Sequence, residues 1–67
     1  MKTEYVLLNE SDESVIMNYD DKSEAIQDAK ELQIKNKLSC YIVCECINNV
    51  YDIDNYIFKS SELSGKL

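Results

Sequence analysis

The stretch Asp21-Lys22-Ser23-Glu24 constrains this chain more than any other. An N-cap carboxylate followed three residues later by Glu is a capping-box arrangement, which satisfies the amides that a first helical turn leaves unpaired. Ala25, Ile26, Ala29, Leu32 and Gln33 follow at helical spacing. Asp21, Glu24 and Asp28 stand near the start and Lys35 and Lys37 near the end, the order that suits the helix dipole. The pattern predicts one helix over 22–36, with the small Ala25 and Ala29 letting its axis approach a sheet closely.

The flanking segments read as strands. Thr3–Asn9 and Ser14–Tyr19 are apolar runs joined by the turn Glu10-Ser11-Asp12-Glu13, so they predict a hairpin. Ser39–Ile47 is β-branched and Cys-rich, and Asn48-Asn49 supplies a two-residue turn. Val50–Phe58 is the expected return strand, interrupted near Asp54-Asn55. The fold class expected is α+β: a four-stranded antiparallel-type sheet, in chain order β-β-α-β-β, with one helix packed on one face. A right-handed crossover over the first strand gives the strand order 2-1-3-4. With 67 residues the chain has room for one small domain, burying only roughly 60% of its unfolded surface. That domain is expected over 1–59. Residues 60–67 are a Ser-rich tail with the only Gly, Gly65, and either start a short helix at Ser60 or Ser61 or fray.

The second hairpin predicts which face is which. A two-residue loop pairs Ile47 with Val50, Cys46 with Tyr51, Glu45 with Asp52 and Cys44 with Ile53. Side chains alternate across a sheet, so Cys40, Ile42, Cys44, Cys46, Tyr51, Ile53 and Ile57 share one face. Tyr41, Val43, Glu45, Ile47, Val50, Asp52, Asp54 and Tyr56 share the other. Only the first lacks a formal charge, so it is expected under the helix. The second would then lie open, with rings interleaved with carboxylates and with Glu45 opposed to Asp52. Apolar groups rimmed by one sign of charge suit a docking surface. The first hairpin is apolar on both faces, which fits a central position or a face covered by oligomerisation.

Charge narrows the partner. The chain carries 13 acids and no His, for a net charge of −6. Residues 1–31 hold all of that excess, and residues 32–67 are balanced. An acidic half repels phosphate and attracts basic surfaces, and the sequence lacks Arg, the side chain best suited to bidentate base or phosphate contacts. Direct nucleic-acid binding is therefore not expected, and a protein partner with a basic surface is. The candidate contact residues are Tyr41, Val43, Glu45, Asp52, Asp54 and Tyr56 on the open face, together with Glu10, Asp12, Glu13 and Asp20 from the acidic half.

Cys40, Cys44 and Cys46 invite a metal reading, but along a strand Cys40 and Cys44 stand about 13 Å apart. A zinc ion needs far closer sulfurs. Three crowded cysteines are also not a disulfide framework, and the short apolar run Tyr5–Leu8 is neither a signal-peptide core nor a span. Free thiols in a cytoplasmic protein, away from membranes, are expected, with Cys as a small core hydrophobe and a thiol redox sensor as a minor alternative. Asp52-Ile53-Asp54-Asn55 lacks the Gly and closing Glu of a calcium loop. With no His, no phosphate loop and no nucleophile–base pair, neither catalysis nor a cofactor is expected.

Two resemblances stand beside this reading. Tyr19 to Lys30 resembles the strand-to-helix junction of many small β-β-α-β modules, a likeness set by capping. The whole profile is short, acidic, rich in Asn, Lys and Ile, and without His or Arg. In general type it is similar to small phage proteins that inhibit host defence enzymes by mimicking nucleic acid or plugging a basic groove. That likeness implies an inhibitor docking on a nucleic-acid- or nucleotide-handling enzyme. The alternative is a homodimer or larger homo-oligomer, a structural or regulatory module associating through its open sheet face or an edge strand.

Overall fold

A computed structural model describes residues 2–64. In chain order it has β1 (Thr3–Asn9), β2 (Val15–Tyr19), α1 (Lys22–Lys35), β3 (Tyr41–Ile47), a 3₁₀ turn at Ile53–Asn55, β4 (Phe58–Lys59) and α2 (Ser60–Ser64). The strands form one antiparallel sheet of order β2-β1-β3-β4, the order that a crossover over the first strand predicts. One detail differs from expectation, the shrinking of β4 to two residues. The tail starts a short helix at Ser60, one of the two outcomes expected of it, and its residues 65–67 lie outside those described.

Local chemistry sets α1 where its caps predict. Asp21 is the N-cap and accepts a bond from the Ser23 amide, while the Asn36 amide closes the far end on the Leu32 carbonyl. Ala25 and Ala29 are fully buried. β1 is the central strand. Val6, Leu7 and Leu8 are all buried, two on one face and one on the other, which explains the absence of alternation in its sequence. β1 and β2 match Tyr5 with Tyr19 and Leu7 with Met17, and then β2 takes one extra residue so that Leu8 faces Val15. That bulge is why no fixed loop length resolves the first hairpin.

The sequence divides the β3 side chains between the two faces correctly but puts the helix over the wrong one, and Tyr56 changes sides. Tyr41 and Val43 lie under α1, in a core with Leu7, Tyr19, Ala25 and Ala29, with Phe58 packed against it. Ile42, Cys44 and Cys46 point to the opposite side and cluster with Val6 and Leu8. That side is not open, because Tyr51, Ile53 and Tyr56 pack over it.

The physical reason lies in the return segment. The Asn48-Asn49 turn forms as expected, with φ of 51° and 67°, and Ile47 and Val50 exchange both main-chain bonds. The chain then leaves the sheet. Asp52 caps the 3₁₀ turn through a bond from the Asp54 amide, and residues 51–57 arch across the cysteine face. Pairing resumes only where Phe58 meets Val43 and Lys59 meets Ile42. Asp52 and Asp54 therefore never stood on a sheet face, and their charge says nothing about which face is buried.

The start of α2 is tied to the core. Ser60, fully buried, donates its hydroxyl to Gln33 Oε1 of α1 at 2.6 Å and accepts the Tyr41 amide at 2.7 Å.

Candidate functional site

The structure does not gather the ten candidate contact residues into one surface. Tyr41 and Val43 are core residues and drop out as contacts, because their strand faces α1. Tyr56 is half-buried over the cysteine face, its hydroxyl donating to Glu62 and its ring lying 5.1 Å from the Lys59 ammonium. The Glu62 bond holds the Tyr56 hydroxyl above its usual pKa. Glu10 faces the same Lys59 at 3.7 Å.

Glu45 and Asp52 are not an opposed cross-strand pair, since Glu45 faces Tyr5 in the sheet and Asp52 has left it. They do line one shallow concavity of ≈ 340 Å³, at the eye of the arch, together with Ile47, Val50, Tyr51, Asn55 and Ile57. Asp54 is exposed on the 3₁₀ turn beside it.

Asp12, Glu13 and Asp20 belong to a different place, the two ends of β2. Asp12 Oδ1 accepts the Ser14 amide at 3.0 Å and the Ser14 hydroxyl at 2.7 Å, which stiffens the turn and lowers the Asp12 pKa. Glu13 sits at φ 60°, its amide bonded to the Asn9 carbonyl. Asp20 and Asp21 follow the other end of the strand, with Asp21 turned to α1 as its cap.

Between those acid pairs lies what the sequence reading missed. β2 is an edge strand, and Val15, Ile16 and Met17 are 48%, 47% and 54% exposed. The strand is uncharged throughout. Its inner neighbour is a groove of ≈ 300 Å³ between β2 and α1, with Leu7, Ile16, Met17 and Leu32 as its apolar walls and Tyr19, Asp28, Glu31 and Lys35 as polar lining. At the groove the Tyr19 hydroxyl donates to Asp28 at 2.6 Å. Burial, reinforced by the Asp28 carboxylate, pushes the Tyr19 hydroxyl far up from its usual pKa, so it is a poor proton donor near neutral pH. The available signal was the six-residue uncharged run Ser14–Tyr19 with Asp-Glu before it and Asp-Asp after it. Such flanking charges are how natural chains guard exposed strands.

The thiols are chemically quiet. Cys44 is fully buried and Cys46 nearly so. Burial, with the Asp52 charge as a lesser cause, raises the Cys44 pKa, which disfavours the reactive thiolate. All three cysteines are free. Among the described residues no three His, Cys, Asp or Glu side chains converge as metal ligands. No helix among them is long and apolar enough to cross a membrane. Compared with known protein families, curated proteins and solved structures, the chain matches none.

Proposed function

We propose that this chain is a small non-catalytic interaction protein that docks an acidic surface on a basic site of a partner protein. The observation that carries the reading is the β2 flank: an exposed, uncharged strand held between Asp12-Glu13 and Asp20-Asp21. The apolar strand supplies dry contact, and the surrounding carboxylates supply steering and select against acidic partners. The contact surface thus moves from the sheet face inferred from sequence to the sheet edge. Asp12, Glu13 and Asp20 stay in it, and Glu45, Asp52 and Asp54 form a separate acidic region. The reading extends to inhibition. An acidic body seated in the groove where a host defence enzyme holds nucleic acid or nucleotide excludes that substrate. The likeness to small phage inhibitors supports the same direction.

Affinity purification at low salt tests it, using the native chain beside a variant with Asp12→Asn, Glu13→Gln and Asp20→Asn. The expected result is a basic protein recovered by the native chain, reduced with the variant, and released as salt rises. Recovery of the same proteins by both chains, insensitive to salt, refutes the reading. The same exposed edge, Val15 to Met17, also favours a second reading, a homo-oligomer built through β2.

A further inference from the structure

The main chain of β2 adds a directional constraint to the acidic-docking reading, on which this inference rests. The Asn9 amide bonds to Ser14 of β2's approach, and the Glu10 amide bonds to Cys40 on the β3 side. Amides alternate along a strand, so Tyr5 and Leu7 of β1 turn theirs to β2, opposite Tyr19 and Met17. Between those two, Asn18 turns its N–H and C=O away from the sheet, to the free edge. Natural edges are blunted by a bulge or by Lys, Pro or a charge within the strand. The β2 bulge falls at Ile16, before the regular Met17–Tyr19 stretch that holds Asn18. That stretch is left to Lys, Pro or a charge to guard, and Val15–Tyr19 contains none of these three.

We propose that β2 accepts an extended segment of a partner protein as an added strand, and that this segment is apolar in its centre and basic at both ends. The unpaired Asn18 amide and carbonyl give it main-chain bonds, as strand addition requires. Ile16 and Met17 give alternate side chains an apolar wall in the groove beside α1. The charged lining of that groove is Asp28, which also accepts the Tyr19 hydroxyl, and Glu31 against the single Lys35. This net negative set suits a long side chain with an apolar stem and a cationic tip. Asp12 and Glu13 at one end and Asp20 at the other set the basic flanks. A second copy fits less well. Antiparallel pairing of two β2 strands brings Asp12-Glu13 of one chain toward Asp20-Asp21 of the other, opposing like charges at both ends.

The test uses the full chain, isotope-labelled, titrated at low salt with the synthetic peptide KKVTITVKK and with EEVTITVEE. The expected result is binding of the basic peptide, slowed hydrogen exchange at the Asn18 amide, and binding of the acidic peptide at least about tenfold weaker. Two further basic peptides, N-methylated on alternate amides in the two possible registers, remove main-chain donors without touching the protein. One of them is expected to lose binding by at least about tenfold. If both methylated peptides bind like the parent, strand addition is overturned while acidic docking stands. Equal binding of the acidic peptide overturns both. Failure of every peptide, with or without a dimer by light scattering, overturns the added strand and leaves acidic docking to its own experiment. As a control on the protein side, Asn18→Pro removes the outward donor together with the Asn side chain, at an edge position that tolerates proline. It is expected to weaken the basic peptide while the Tyr5 and Leu7 amides keep their slow exchange. Unchanged peptide binding with those amides still protected overturns the added strand.

Discussion

Ser60 shows how much one hydroxyl can organise. It links β3, α1 and α2 by accepting from the Tyr41 amide and donating to Gln33. Ser60→Ala leaves the buried Tyr41 amide without its partner, and the expected cost is about 1–3 kcal/mol, read from urea unfolding. Tyr19 supplies a pH signature. Its folded pKa lies far above the usual 10.0, so between the unfolded and folded values the unfolded chain releases a proton that the native chain keeps. The Tyr19 contribution to stability is therefore complete below pH 10 and is lost as pH rises beyond it. Tyr19→Phe is expected to lessen that decline in thermal melts taken across alkaline pH, because no phenol remains at this position to ionise.

At the level of elements, the legible parts were those set by neighbours in sequence. The α1 cap at Asp21, the Asn48-Asn49 turn and the crossover order all follow from local stereochemistry and short-range rules. Asn49→Val places a β-branched side chain at φ 67°, and about 1–2 kcal/mol of stability is expected to be lost, measurable by chemical denaturation. The return segment was illegible for a definite reason. Continuing the register of Ile47 with Val50 brings Phe58 to Ser39, yet Phe58 meets Val43, four positions away. Those residues are spent on the arch. Asp52 prefers to bond the amide two residues on, a local alternative to the ladder that no alternation rule detects. Once the strand was assumed unbroken, the carboxylates assigned to it marked the Tyr41–Val43 face as the open one, although the grouping of β3 residues into two faces was right. The β2 edge escaped notice differently. Its strand lacks alternation because of the bulge at Leu8, and edge position is a property of strand order rather than of any one segment.

For the molecule as a whole, charge and the bare β2 edge act against each other. At neutral pH the net charge of −6 and the acid pairs beside β2 keep copies apart. As pH falls toward the isoelectric point near 4.4 the net charge that separates copies goes to zero, and the exposed Val15, Ile16 and Met17 lose that protection. Light scattering is expected to show self-association growing over this descent. Ile16→Lys, which puts a cation on the edge itself, is expected to suppress it, whereas Val50→Lys, on the far hairpin, is expected to leave it unchanged.

The arch over the cysteines starts at the Ile47–Val50 bridge and ends at the Phe58–Val43 pair, so both of its feet stand on β3. Its crown, Asp54-Asn55, is exposed. Extra residues spliced in there would lengthen a span whose anchors stay fixed, and each doubling of its length adds only about 0.6 kcal/mol of closure entropy. The fold thus carries a graft point where a reporter or binding peptide can be displayed, on the side of the molecule away from the β2 edge.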